Sequence, residues 1–353
     1  MSAGFHVAIV GATGAVGEEL IRLLQQREFP VRSLKLLASP KSAGKTLSFK
    51  DESIAVETLS NDSFSGVDIA FFSAGAATSK EFARKATSAV VIDNSSAFRM
   101  EKEVPLVIPE INGEDIRKHQ GIIAVPNCTT IVALMALYPL HQAFRVKRVI
   151  ASSYQAVSGA GAKAILELDR QVKDHVAGDP LKPQVFPHPI AFNVFPHVDV
   201  FLENGYTKEE QKFLNESRKI MHHPTLRASI TCVRVPVYRA HSVAIHAEFE
   251  QPVSLDRARD VLAKFRGLEL VDAPATNHYP MPLECAGKEN CQVGRIRIDT
   301  ALDNGLAFWA CGDQLLKGAA LNAIQIAEAL GKDGGRGGRG NADSAESAVI
   351  AGN

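Results

Sequence analysis

The chain has 353 residues, enough for two domains at roughly 100–200 residues each. Its 39 basic and 39 acidic side chains cancel, so no overall field draws it to nucleic acid or an anionic membrane, and any anionic ligand must be met by locally placed arginines and lysines. Five cysteines, at 128, 232, 285, 291 and 311, form neither a dense disulfide framework nor a common zinc spacing, and no leader with a basic start and an apolar core precedes them; a reducing cytoplasm and no metal site are expected.

In chain order, residues 5–10 read as a buried parallel strand, and Gly11-Ala12-Thr13-Gly14-Ala15-Val16-Gly17 leads directly into apolar residues at helical spacing over 18–25. Strand, glycine turn and helix form the context of a dinucleotide-binding loop, where backbone N–H groups approach a pyrophosphate at a helix N-terminus; a plain βα turn is the alternative. A second strand, 33–37, ends in a loop carrying Ser39, Lys41 and Ser42. An acid that would hold the ribose 2′-hydroxyl of NAD is absent at this place, and two hydroxyls and a cation suit the 2′-phosphate of NADP(H), unless the loop is only solvated polar surface.

Further buried strands are expected at 67–72 and 89–92, followed by small-residue loops containing Ser73, Gly75 and, in Asn-Ser-Ser-Ala-Phe-Arg-Met, Arg99. Ligands of open parallel sheets bind beyond the carboxyl ends of the strands, so these loops should line one crevice. Arg99 is either the cation at that mouth or an exposed surface arginine. The apolar run 122–125 breaks at Pro126, and a helical run begins after Thr129-Thr130, placing Cys128 at a helix N-terminus. There the helix dipole and unpaired N–H groups are expected to lower the thiol pKa and favour a thiolate nucleophile; the alternative is an inert buried cysteine. The segment 122–140 is the nearest approach to a membrane span, but its proline and polar residues favour a buried strand-turn-helix.

From about residue 152 the pattern becomes irregular, and then 228–238, 242–250 and 292–299 alternate apolar and polar residues as in a half-covered antiparallel sheet. Helices are expected at 208–221 and 255–265, a last strand at 306–310 and a strongly amphipathic helix at 317–330 that returns to the first domain. The tail from 331, rich in Gly, Arg, Ala and Ser, is expected to be disordered.

With GATGAVG, LASPKSAGK, SAGAATSK, NSSAFRM, VPNCTT, SYQAVSGAG, FNVFPHVDVFLENGYTKEE, RVPVYRAHS, VGRIRID and KGAALN in this order, the chain closely resembles the aspartate-semialdehyde dehydrogenase family from Val7 to about Leu330. The resemblance implies an α/β fold with an N-terminal Rossmann NADP-binding domain completed by the C-terminal helix (1–129 plus 312–330), and an inserted α+β catalytic and dimerisation domain on a mixed, largely antiparallel sheet (130–311). It implies NADPH-dependent reductive dephosphorylation of L-aspartyl-4-phosphate to L-aspartate 4-semialdehyde and phosphate, by a homodimer or a dimer of dimers.

On the same resemblance Cys128 is the nucleophile and His241 the acid/base, a task that suits a group titrating near neutral pH. Gln155 orients the acyl group, and Asn127 stands beside the thiol as a donor to the carbonyl oxygen. Arg234 takes the α-carboxylate, a task suited to a guanidinium fork, Glu209 the amino group, and Lys212 with Arg99 the phosphate. Ser158 and Gly159 match cofactor-loop positions, and Gln314, where relatives often have asparagine, faces the nicotinamide carboxamide. Read from spacing alone, Glu209 and Lys212 are an exposed i,i+3 ion pair, and His241 one of eleven histidines. N-acetyl-glutamyl-phosphate reductase is the rival within this chemistry, disfavoured because a carboxylate such as Glu209 has no partner on an acetamide. A catalytically silent nucleotide-binding protein is the rival outside it.

Overall fold

The computed structural model describes residues 4–332, so the expected disorder of the tail falls, from 333 onward, outside the described residues; residues 331 and 332 close the last helix. In the first half, β1 (Phe5–Val10), α1 (Ala15–Gln26), β2 (Val31–Ala38), the hairpin β3 (Thr46–Phe49) and β4 (Glu52–Thr58), β5 (Ile69–Phe72), α2 (Ala76–Phe82), β6 (Val90–Asp93), the single turn α3 (Pro109–Asn112) and β7 (Ile122–Ala124) follow one another. They build a seven-stranded sheet in the order β3-β4-β2-β1-β5-β6-β7, parallel except for the β3/β4 hairpin. β5, β6 and β7 are almost wholly apolar because both faces of a parallel sheet are covered. Strand order reverses at β1, which puts the crevice between the loops leaving β1 and β5.

The second half contains α4 (Cys128–Phe144), β8 (Val146–Gln155), α5 (Ala162–Ala177), α6 (Lys208–Ile220), β9 (Arg227–Arg234), β10 (His241–Phe249), α7 (Leu255–Lys264), β11 (Leu268–Leu270), the turn α8 (Pro282–Cys285), β12 (Cys291–Ile298) and β13 (Gly305–Gly312). A π-helical turn, Leu316–Ala320, then runs into α9 (Leu321–Lys332). The six-stranded sheet has the order β11-β12-β13-β10-β8-β9 and is mixed, antiparallel at its centre and parallel at both edges. β8 and α5 lie where the sequence reads as irregular. β8 straddles the point where the pattern changes, so its alternation is divided between two different readings.

One core runs through both sheets, and α4 lies between them, buried on nearly every side. The terminal helix, expected to be strongly amphipathic, is buried on more than one side: from Leu316 to Ile324 every residue is buried, because the π turn and α9 pack on α1, α3 and α4 simultaneously. Among the described residues no helix covers the outer face of the six-stranded sheet at Ile150 (50% exposed) and Tyr154 (37% exposed), the latter with its ring 5.1 Å from that of Trp309.

Strand register gathers the chemistry. Gln155 ends β8 opposite Arg234 at the end of β9, while His241 opens β10 opposite Gly312 at the end of β13. All four therefore reach one edge of the sheet, the edge facing the N-terminus of α4. Among the described residues no helix is long and apolar enough to cross a membrane.

Candidate active site

Two cavities meet at Cys128. One, of about 370 Å³, is lined by Arg99, Asn127, Gln155, Glu209, Lys212, Arg234 and His241; the other, of about 380 Å³, by the glycine loop, Ser73, Asn94, Ser158 and Gln314. Gly75, Ser95, Arg99, Asn127, Cys128 and Gly159 line both.

The second cavity fits a dinucleotide. Gly11 has φ +86°, and a Cβ on Gly17 would stand 2.2 Å from the Gly11 carbonyl oxygen, so helix α1 can start this close to β1 only without side chains. Gly14 caps α1 with no side-chain hydrogen bond, leaving the helix start open to an anion. Asn94, which the sequence reading did not single out, donates to the Phe72 carbonyl and keeps a buried Oδ1 without a partner at this cavity. Its loop is held by Asp93, whose carboxylate accepts from the Ser79 and Ser95 hydroxyls at 2.8 and 2.7 Å. Ser39, Lys41 and Ser42 lie apart, in a short turn beyond β2, joined to the glycine loop by Thr13 Oγ1 donating to Ser42 Oγ at 3.3 Å. The Gln314 side chain accepts from Ala240 N at 2.8 Å and donates to Ser158 Oγ, leaving one amide hydrogen for a ligand.

Asn127 is the N-cap of α4: its Oδ1 accepts from Thr129 N (3.0 Å) and Thr130 N (3.2 Å), its Nδ2 donates to Glu209 Oε1 (2.9 Å) and its backbone N–H donates to Glu216 Oε2 (2.6 Å). Cys128 follows, with Sγ 3.5 Å from His241 Nε2. Its thiol pKa is not lowered as the helix start alone suggests. Burial first, and then the Glu209 carboxylate, push it up to about 11, against the opposing pull of Arg99, Arg234 and the Thr129 N–H.

His241 likewise does not titrate near neutral pH: complete burial and then the Arg234 guanidinium hold it well below 6.5, so the ring is neutral. Ala156 N–H donates to its Nδ1 at 3.0 Å, so that nitrogen is an acceptor and the ring proton sits on Nε2, facing sulfur. Gly159 packs against this ring; a Cβ there would be 3.1 Å from His241 Cε1 and 3.2 Å from Arg234 Nη1.

Arg99 is buried rather than a surface arginine. It donates to the Val125 and Asn94 carbonyls and to Glu216 Oε1 at 3.0 Å, which uses three of its five N–H bonds. Glu216, absent from the sequence reading, thus fixes both Arg99 and the backbone before Cys128; its position on α6, seven residues after Glu209, was the available signal. Glu209 is buried, accepting from Asn127, from Gln155 Nε2 at 3.1 Å and from Lys212 at 3.0 Å, so the pair is not exposed. Burial raises the Glu209 carboxyl, but Lys212 and the amide donors outweigh it and leave the pKa lowered. Lys212 also reaches Asp199 at 2.8 Å. Arg234 donates to the Ala156 carbonyl at 2.7 Å and stacks over Phe186. All five cysteines are free thiols, and no group of three metal-ligating side chains converges among the described residues.

A dinucleotide cleft opening onto a cysteine and histidine, beside two arginines and a lysine, is the site of a nicotinamide-dependent dehydrogenase. Residues 6–119 match the family description "Semialdehyde dehydrogenase, NAD binding domain" and 137–317 "Semialdehyde dehydrogenase, dimerisation domain". The aspartate-semialdehyde dehydrogenase of Aquifex aeolicus is 52% identical, covering 94% of this chain and 99% of that protein; that of Synechocystis is 50% identical, covering 94% and 98%. The crystal structure of aspartate semialdehyde dehydrogenase II from Vibrio cholerae superposes with TM-score 0.91 at 43% identity, covering 94% and 99%, and it has also been solved complexed with ASA. The chain belongs to the aspartate-semialdehyde dehydrogenase family.

Proposed function

We propose that the chain reduces L-aspartyl-4-phosphate with NADPH to L-aspartate 4-semialdehyde and phosphate, with each site residue acting from the position described. The observation that carries this reading is Cys128 Sγ at 3.5 Å from His241 Nε2, at the junction of the glycine-loop cavity and the cavity holding Arg99, Arg234, Glu209 and Lys212.

Arg234 receives the α-carboxylate as a planar fork, Glu209 the α-ammonium, and Arg99 with Lys212 the phosphate. Arg99, Arg234 and the Thr129 N–H favour loss of the thiol proton, which passes to water in the open cavity because both nitrogens of the neutral His241 ring are already committed, and His241 Nε2–H donates to the sulfur once it is ionised. The thiolate adds to the acyl carbon and the C–O bond to phosphate breaks, giving a thioester on Cys128. Gly11–Val16, Ser73, Gly75, Ser158, Gly159 and Gln314 would hold NADPH, with Ser39, Lys41 and Ser42 for its 2′-phosphate, and the cofactor would supply the hydride when bound. His241 keeps its proton on Nε2 and donates it as a hydrogen bond to the oxyanion of the resulting hemithioacetal, aided by Asn127 Nδ2–H; collapse expels the Cys128 thiolate and releases aldehyde. Gln155 holds Glu209 toward the amino acid end.

The proposed division is 1–129 with 312–330 for the cofactor and 130–311 for catalysis and pairing. The bare face at Ile150, Tyr154 and Trp309 lies within the stretch matching a dimerisation domain, and a second copy of the chain packs there; two such dimers pair in turn. Five free thiols suit a reducing cytoplasm. The test follows absorbance of reduced nicotinamide with L-aspartate 4-semialdehyde, phosphate and either NADP or NAD. Turnover requiring phosphate and preferring NADP, abolished by Cys128→Ala with NADP binding retained, is expected; a fully active Cys128→Ala removes the mechanism.

A further inference from the structure

His241 is placed by a segment that touches neither cavity. Arg239 lies in the turn between β9 and β10, two residues before the imidazole, and reaches out of the six-stranded sheet: its Nε donates to Asp313 Oδ2 at 2.5 Å and its Nη1 meets Glu19 Oε1 of α1 at 2.7 Å. Asp313 is completely buried, and its carboxylate also accepts from the backbone N–H groups of Gly287, Leu315 and Leu316. Asp313 is thus tied to the start of the π turn, and Arg239 ties it in turn to the helix that follows the glycine loop.

Between Arg239 and His241 stands Ala240, fully buried with φ +72°, a left-handed conformation that a residue with a Cβ adopts only when its surroundings impose it. Two contacts impose it: the single hydrogen bond from Arg239 Nε to Asp313 Oδ2 before it, and its own N–H on Gln314 Oε1 at 2.8 Å. Were Ala240 to relax to negative φ, the start of β10 would rotate and Nε2 would leave its position 3.5 Å from Cys128 Sγ.

We infer that Arg239 is a positioning residue for the reaction, holding His241 against Cys128 by clamping the Ala240 backbone to Asp313 and Glu19. This rests on the reading of His241 given above, which the kcat of His241→Ala against that of wild type tests separately.

The experiment compares wild type, Arg239→Met, Arg239→Lys and Ala240→Gly, each also with His241→Ala, for kcat, KM, NADP affinity and Tm. Arg239→Met is expected to lower kcat on the order of 10–100-fold, the cost of a roughly 1 Å misplacement, with KM for semialdehyde changed by less than about threefold. Arg239→Lys, which keeps the charge but not the fork, should recover part of the loss. Glycine takes positive φ freely, so Arg239→Met in an Ala240→Gly chain should lose less kcat than in the wild-type chain. In the His241→Ala chain, Arg239→Met should cost no further kcat. An active wild type with Arg239→Met unchanged in kcat, or losing as much with alanine at 241 as with histidine, overturns the inference; a lowered Tm with kcat intact does so too, since it marks a purely structural tie.

Discussion

The ionisation of Cys128 is the place where the structure departs furthest from the expectation of a helix-terminal thiol. With its pKa pushed from 9.0 up to about 11, the free enzyme should carry about a hundredfold less thiolate at neutral pH than an ordinary cysteine, and about one part in a thousand at pH 8. Since only the thiolate is alkylated, the rate constant for iodoacetamide modification at Cys128, followed by peptide mass spectrometry on the free enzyme, should climb close to tenfold per pH unit. No plateau should appear before about pH 11. The charges around the sulfur give the signs of two companion variants. Glu209→Gln removes a negative neighbour and should speed alkylation at pH 8, whereas Arg99→Met removes a positive one and should slow it. A rate that levels off between pH 6 and 9 would refute the argument that burial and Glu209 outweigh the arginines.

Gly159→Ala places a Cβ 3.1 Å from the His241 ring and 3.2 Å from Arg234 Nη1, so kcat/KM for semialdehyde should fall on the order of 10–100-fold with Tm nearly unchanged; an unaltered kcat/KM would show that the ring does not need its present place. Gly17→Ala drives a methyl into the Gly11 and Ala12 carbonyls and should cost about 1–3 kcal/mol of stability together with most NADP affinity, while Gly14→Ala, 3.3 Å from its nearest neighbour, should be far milder; calorimetry and cofactor titration separate the two, and equal effects would contradict the packing argument. Tyr154→Asp sets a charge in the bare sheet face and should shift sedimentation from dimer toward monomer, and an unchanged sedimentation coefficient would place the interface elsewhere.

Much of this protein is written locally in its chain. The uninterrupted apolar run of β1, the glycines at 11, 14 and 17, and the break at Pro126 before Cys128 determine a dinucleotide crevice with a thiol at a helix start, because backbone sterics and short-range periodicity need no distant partner. The alternation in β9 marks a strand covered on one face for the same reason, whereas β10, which reads as half-covered too, is buried on both faces because it is central to the sheet. Helix α5 and strand β8 were not legible, since β8 is read only once its pairing with both β9 and β10 is known. Nor were Glu216 and Arg239, whose partners lie 117 and 74 residues away.

Tertiary structure alone decided the electrical state of the site. A helix start predicts a thiolate, but the sulfur's surroundings come from α6, β9 and β10 as well as from its own helix, and their burial and the carboxylate of Glu209 leave a thiol beside a neutral imidazole. Which atom of His241 carries the proton was settled by the N–H of Ala156, 85 residues away. Ionisation depends on what fills the space around a group, and that is known only after distant segments have packed together.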